Sequence, residues 1–164
     1  DSFVARTHRK LSWKLPDGKH LETFNFSIPG SGSGALLDQY QQHWLELLPD
    51  LLILNLTFND PNVELLTANL RHFLQVNRER GIKTVLMIEP NLQPRNKKHR
   101  AVRTVGKEFG VPVLDLYSHL TSKTVYDSGF LWWDMVHLSS LGHDKVAEEL
   151  VVELEPLLEQ LLQR

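Results

Sequence analysis

The sequence contains no cysteine, which excludes disulfide bonds, thiolate metal sites and a cysteine nucleophile. It also has no apolar run of the roughly 18 residues that a membrane-spanning helix needs. An excess of charge of either sign is missing as well, because 18 lysine and arginine residues face 20 aspartate and glutamate residues, for a formal net charge of −2. Such a chain has no broad positive field for a phosphate backbone, so we expect no nucleic-acid partner.

The remaining composition is typical of one folded domain. The chain has 164 residues, of which 41% are hydrophobic and 23% are charged, and these proportions allow a substantial core and argue against disorder. We therefore predict one domain over residues 1–164. The chain begins with Asp1 and Ser2, without an initiator methionine or the pattern of a signal peptide, so we expect it to be a processed chain or part of a longer one.

Short apolar runs alternate along the chain with longer segments in which apolar residues recur at helical spacing. The predicted strands are Glu22–Ile28, Leu51–Phe58, Thr84–Ile88 and Val111–Leu116. The predicted helices carry apolar stripes over residues 36–48, 63–74, 102–109 and 146–154. This alternation predicts an α/β fold, a three-layer α/β/α sandwich with a parallel, flavodoxin-like sheet.

Glycine and proline mark the ends of the predicted helices. Gly81 and Gly110 each separate a helical segment from a strand, as expected for glycines that end helices in the left-handed conformation. Pro156 is expected to kink or restart the last helix, because proline has no backbone N–H to donate.

Polar residues follow the predicted strands, at the edge of a parallel sheet where ligands bind. The glycine-rich run 29–34 follows the first strand, and Asn59 and Asp60 follow the second. After the last strand the chain leads to Asp134 and His137, three residues apart. A carboxylate at this spacing can hold one imidazole nitrogen and leave the other free as a base. The alternative is that Asp134 caps a turn and His137 is an ordinary loop residue.

Four short blocks resemble, in order and approximate separation, those of the SGNH (GDSL-type) hydrolase superfamily, over nearly the whole chain. The blocks are Asp1-Ser2, residues 25–30 (NFSIPG), residues 57–60 (TFND) and Asp134-Met135-Val136-His137. The resemblance implies an α/β fold of SGNH-hydrolase type and a serine esterase or lipase that works through an acyl-enzyme. In that superfamily a strand precedes the Asp-Ser pair, so we expect the domain to lack its first strand upstream of Asp1.

The same resemblance implies a role for each matched residue. Ser2 would be the nucleophile, His137 its general base and Asp134 the residue that orients the base. The oxyanion hole would consist of the backbone N–H groups of Ser2 and Gly30 together with the side-chain amide of Asn59. No metal or organic cofactor is implied.

The substrate implied by the resemblance is a small-molecule, carbohydrate or lipid ester. Acetylated sugars, short acyl esters, lysophospholipids and thioesters all fit this chemistry, as does transfer of the acyl group to an acceptor other than water. Trp132 and Trp133 adjoin Asp134 and are candidates for a wall of the acyl or alcohol pocket, with packing in the core as the alternative.

A dinucleotide-binding protein is the main rival interpretation. Gly30, Gly32 and Ala35 match a G-x-G-x-x-A fingerprint after a predicted strand, and Asp60 ends the next strand. This interpretation places Asp60 about ten residues beyond the usual offset of about 20 and leaves the D-x-x-H pair without a role.

Two further alternatives use the same residues differently. A non-catalytic or carbohydrate-binding descendant of the fold would keep the site without turnover. A metal site could be assembled on residue type alone from Asp134, His137 and His143, although His143 is expected to face solvent or to begin the last helix.

Overall fold

The computed structural model describes residues 2–56, 59–94, 96–122 and 131–163. Contacts group the chain into two compact units. The sheet unit comprises Ile28–Glu89 and Pro94–Asp115, and the helical unit comprises Asp1–Ser27, Pro90–Gln93 and Leu116–Arg164. Within the described residues no helix is both long enough and apolar enough to cross a membrane.

The sheet unit is built on three parallel strands in the order β1, β2, β3. The strands are β1 (Leu51–Asn55), β2 (Lys83–Ile88) and β3 (Val113–Asp115). In β2, all five residues from Thr84 to Ile88 are at most 7% exposed. Neither face of this central strand meets solvent, which explains why its sequence, TVLMI, is apolar without alternation.

Three helices and two short turns complete the sheet unit. They are α2 (Ser33–Gln39), a π-helical turn (Tyr40–Trp44), a 3₁₀ turn (Leu45–Leu47), α3 (Val63–Arg80) and α4 (Lys97–Phe109). The two longer helices, α3 and α4, pack against each other and against β2. The alternation of helices with parallel strands confirms the predicted α/β class.

The ends of α3 and α4 follow from their capping residues. Asn62 precedes α3, and its side-chain oxygen accepts a hydrogen bond from the backbone N–H of Leu65 at 2.8 Å. Gly81 ends α3 with φ 71°, and Gly110 ends α4 with φ 68°. Both predicted glycine caps are therefore confirmed.

A buried chain of polar side chains joins the layers of the sheet unit. The Tyr40 hydroxyl donates to Asn77 Oδ1 at 2.5 Å, and Asn77 Nδ2 donates to Thr84 Oγ1 at 2.8 Å. Burial raises the pKa of Tyr40 to about 12, so the phenol stays protonated and remains a donor. These bonds tie the π-helical turn to α3 and to β2.

The helical unit contains α1 (Phe3–Ser12), α5 (Leu116–Ser122) and α6 (Ser140–Leu162). Both α1 and α5 pack against α6. The helix α6 passes through Pro156 without restarting. Proline has no N–H to donate to the carbonyl of Val152, and Val152 lies on the exposed face of the helix, with 68% of the residue exposed.

The prediction of a strand over Glu22–Ile28 is wrong. This segment has no ladder partner among the described residues, and a strand exists only where a neighbouring strand satisfies its backbone groups. Its alternating aromatic side chains stack on each other instead, with the rings of Phe24 and Phe26 at 5.9 Å and an interplanar angle of 2°. Phe24 and Ile28 are 51% and 43% exposed.

Two other predicted strands are shorter than expected. The strand β1 ends at Asn55, and the predicted end at Phe58 lies outside the described residues. The strand β3 covers only Val113–Asp115, because Pro112 contributes a carbonyl but no N–H to β2 and Leu116 already begins α5.

Candidate active site

Asp134 and His137 form a hydrogen-bonded pair in the helical unit. One carboxylate oxygen of Asp134 accepts from the backbone N–H groups of Val136 and His137, each at 2.8 Å. The other oxygen lies 2.7 Å from His137 Nδ1. The side-chain bond to His137, followed by the backbone bonds, lowers the pKa of Asp134 to about 2. An ionised carboxylate here requires a proton on Nδ1, which leaves Nε2 as the base.

The loop that carries this pair is tied down by backbone hydrogen bonds within the helical unit. These bonds run from Trp133 N to His137 O at 2.8 Å, from Ser139 N to Leu131 O at 2.9 Å and from Leu92 N to Met135 O at 2.9 Å. A β-carbon at Gly142 would lie 2.1 Å from Leu131 O, so only glycine lets the first turn of α6 approach this loop so closely. The imidazole is therefore held on a fixed backbone.

The pair is open to a substrate. The side chain of His137 is 76% exposed and that of Asp134 is 53% exposed. The two neighbouring tryptophans differ sharply, because Trp132 is 5% exposed and Trp133 is 80% exposed. Burial of Trp132 favours a packing role, which leaves the ring of Trp133 as the stronger candidate for substrate contact.

Ser2 lies at the start of α1, also in the helical unit. It is the N-cap residue, with an extended backbone, and its Oγ accepts from the N–H of Ala5 at 3.4 Å. A long bond of this kind constrains the hydroxyl oxygen only weakly. The backbone N–H of the next residue, Phe3, donates a hydrogen bond to His143 in the first turn of α6. Sequence analysis did not predict this contact, because the two residues lie 140 positions apart in the chain.

In the sheet unit, one hydrogen bond joins Asn59 to Ser31, the residue after Gly30. Gly30 has φ 73°, a conformation that residues with a β-carbon rarely adopt, in a turn closed by Ser31 N and Ile28 O at 3.2 Å. Asn59 Nδ2 donates to Ser31 O at 3.2 Å, and the amide has a second N–H to offer. Both groups are donors without a formal charge.

The carboxylate of Asp60 occupies the start of α2. It accepts from Ser33 N at 3.1 Å and from Ser33 Oγ at 2.7 Å, and Asp60 is 4% exposed. The dinucleotide interpretation needs this helix start for a pyrophosphate and this carboxylate for a ribose. The helix start and the carboxylate are hydrogen-bonded to each other. The dinucleotide interpretation therefore loses its two main contacts.

No group of three or more metal-ligating side chains occurs among the residues that the structure describes. The alternative metal site of Asp134, His137 and His143 is therefore unsupported. His143 bonds to Phe3 N through Nδ1, and His137 bonds to Asp134 through its own Nδ1.

The fold is shared with solved hydrolases of low sequence identity. The acetyl xylan esterase AlAXEase superposes with a TM-score of 0.80 at 16% identity, covering 93% of this chain and 90% of that chain. Axe2, an acetylxylan esterase from Geobacillus stearothermophilus, gives 0.81 at 18% identity, with 94% and 81% covered. LAE5, an α/β hydrolase from the metagenome of Lake Arreo, Spain, gives 0.81 at 16% identity, with 92% and 80% covered. The SGNH-hydrolase type of fold is thereby confirmed.

The class of protein is a serine hydrolase of carboxylic esters, as a family match shows. The model of the GDSL-like lipase/acylhydrolase family matches residues 1–145, so the chain belongs to that family. A search of curated protein sequences finds no match.

Proposed function

We propose that Ser2, His137 and Asp134 form the catalytic triad of this esterase within one domain over residues 1–164. The observation that carries the proposal is the Asp134–His137 pair, whose 2.7 Å bond fixes the tautomer of an exposed imidazole. The resemblance of Asp1-Ser2 to the nucleophile block of the superfamily supports the choice of Ser2.

In the acylation step, Nε2 of His137 takes the proton from Ser2 Oγ as the oxygen attacks the ester carbonyl. The carbonyl π bond opens to an oxyanion, which the N–H groups of Ser2 and Gly30 and the amide of Asn59 stabilise. Asp134 stabilises the imidazolium. Collapse of the tetrahedral intermediate breaks the bond to the alcohol oxygen, and the imidazolium returns its proton to the departing alcohol.

The second half of the cycle repeats this chemistry with water. His137 removes a proton from a water molecule that attacks the acyl-enzyme carbonyl, and the new tetrahedral intermediate expels Ser2 Oγ, which is reprotonated by His137. The acid is released and the free enzyme is restored. An alcohol in place of water would give acyl transfer by the same steps.

We propose a short acyl ester of a carbohydrate as the substrate class. Trp133 supports this choice, because a tryptophan ring that is 80% exposed beside Asp134 offers an apolar face for a sugar ring. Two of the structurally similar proteins are acetyl xylan esterases, which is consistent with this class.

Labelling with a fluorophosphonate and peptide mapping test the nucleophile. We expect covalent modification at Ser2 and none in Ser2→Ala, while Ser27→Ala, a matched control at an exposed serine, labels normally. Modification of another serine, or activity that survives Ser2→Ala, would contradict the assignment.

A panel of esters tests the substrate class with the same protein. We expect acetylated xylo-oligosaccharides to be preferred over p-nitrophenyl octanoate and lysophospholipid, with Trp133→Ala raising KM for the oligosaccharide but not for p-nitrophenyl acetate. Trp13, which is 88% exposed, provides the control variant Trp13→Ala. A preference for long acyl chains would favour a lipid ester instead.

Replacing Asn59 by alanine should lower kcat by about 10²–10³ with little change in KM, because the lost donor acts on the oxyanion and not on the bound ester. Asn62→Ala is a useful control, since it removes the cap of α3 and should cost about 1 kcal/mol of stability while kcat is kept. Steady-state kinetics measure kcat and KM of the two variants, and thermal melting measures their stability. A change in KM alone would remove Asn59 from the oxyanion hole.

A further inference from the structure

The first backbone N–H of α1 is satisfied by a side chain from α6. Phe3 N donates to Nδ1 of His143 at 3.2 Å. The rings of the same two residues stack with centroids 5.9 Å apart and an interplanar angle of 25°. Helix geometry leaves the first N–H groups without intrahelical partners, so this imidazole supplies a bond that the residue next to Ser2 cannot find in its own helix.

A second contact fastens α1 to the same turn of α6. The Arg6 guanidinium donates to the carbonyl of Ser140 at 2.8 Å and to its hydroxyl at 2.9 Å. The same guanidinium pairs with Asp144, and the side chain of Arg6 is only 12% exposed. A planar guanidinium held by three acceptors restricts both translation and rotation of the helix start.

The turn of α6 that receives these contacts is continuous with the loop that carries the proposed base. Ser139 caps α6, two residues after His137, with its Oγ accepting from Gly142 N at 3.1 Å. Its backbone N–H donates to Leu131 O, at the other end of the loop. The first turn of α6 thus connects the helix start that carries Ser2 with the loop that carries His137.

We propose that His143 is a positioning residue, whose Nδ1 accepts from Phe3 N and so holds Ser2 in register with the base on the neighbouring loop. The proposal rests on the assignment of Ser2 as nucleophile. It requires an acceptor at Nδ1, and therefore a neutral imidazole with its proton on Nε2.

The surroundings of His143 favour the neutral ring. Burial lowers the pKa of His143, and the positive charge of Arg6 lowers it further. The imidazole consequently remains an acceptor in neutral solution.

Two substitutions separate the hydrogen bond from the packing. His143→Asn keeps an acceptor, because Oδ1 of asparagine occupies the place of Nδ1 along the side chain, but it loses the ring. His143→Phe keeps a ring to stack on Phe3 and loses the acceptor. We expect His143→Phe to lower kcat by about tenfold to a hundredfold with KM almost unchanged, since small displacements of a reacting group have effects of this size. His143→Asn should stay within about threefold of the wild type.

The rate of fluorophosphonate labelling at Ser2 is the second readout. This rate should fall in His143→Phe and recover in His143→Asn. Thermal melting shows whether both variants fold. If the phenylalanine variant does not fold, His143→Leu takes its place. Equal impairment of the two variants, or full activity of the acceptor-free variant, would assign His143 to packing alone and overturn the proposal. Failure of wild-type Ser2 to label would instead overturn the nucleophile assignment itself.

Discussion

Replacing His137 by alanine is expected to lower kcat by about 10⁶-fold. Loss of the base from a serine hydrolase costs about as much as loss of the whole triad, because the three residues act as a unit. The side chain is 76% exposed and its own bonds go to Asp134, so truncation should leave the core intact. The measurement is kcat for a p-nitrophenyl ester, with the melting temperature as a check on folding.

His20→Ala is the matched control for His137→Ala, since His20 is an exposed histidine outside the proposed site. It should leave kcat unchanged. Added imidazole should restore part of the activity of His137→Ala, because the open position of the lost ring lets a small base approach. A loss of less than about a hundredfold, with no rescue, would show that another group removes the proton from the nucleophile.

The local features of this fold were predictable because each depends on residues close in sequence. The caps at Gly81 and Gly110 depend on one backbone conformation each. The Asp134–His137 bond depends on a three-residue spacing. Interactions of this range are encoded within a single turn, so one sequence is enough to predict them.

Features that depend on distant partners could not be predicted from the pattern alone. The alternation in Glu22–Ile28 indicates two different faces, but a strand also needs a neighbour, and no described residue pairs with this segment. Likewise, nothing in the local sequence of His143 identifies a partner 140 residues away.

The two adjacent tryptophans show how the local backbone decides the role of a residue. Trp132 pairs with Leu138 in an antiparallel bridge, whereas Trp133 lies in the bend that follows. Trp132 is buried and Trp133 is exposed, although the two are chemically identical. Sequence analysis could place both beside Asp134 but could not assign the face that each one takes.

Asp134 stays ionised in neutral solution. Its pKa lies at about 2, below the ordinary value of 3.8, because the carboxylate is the form that accepts the bonds from His137 and Val136. For a lowered carboxyl pKa, the stabilising interaction is complete above pH 3.8 and is lost as the pH falls towards 2. Loss of activity between pH 5 and pH 7 would therefore not arise from protonation of Asp134.

Replacing Asp134 by asparagine is expected to lower kcat by about 10⁴-fold while the loop keeps its shape. The amide oxygen can still accept from the N–H groups of Val136 and His137, at the positions where Oδ1 now accepts at 2.8 Å. The amide nitrogen, however, is a donor and faces Nδ1, which favours the imidazole tautomer with its proton on Nε2. That tautomer cannot take a proton from Ser2.

The comparison with Asp134→Ala separates tautomer control from loop support. Alanine removes all three accepted bonds, so it should lower the melting temperature, whereas asparagine should leave it nearly unchanged. If Asp134→Asn kept kcat within tenfold of the wild type, Asp134 would serve only to shape the loop, and His137 and Ser2 would act as a dyad. A large loss of kcat at an unchanged melting temperature would assign the carboxylate to the chemistry, since the only altered contact is then the one at Nδ1.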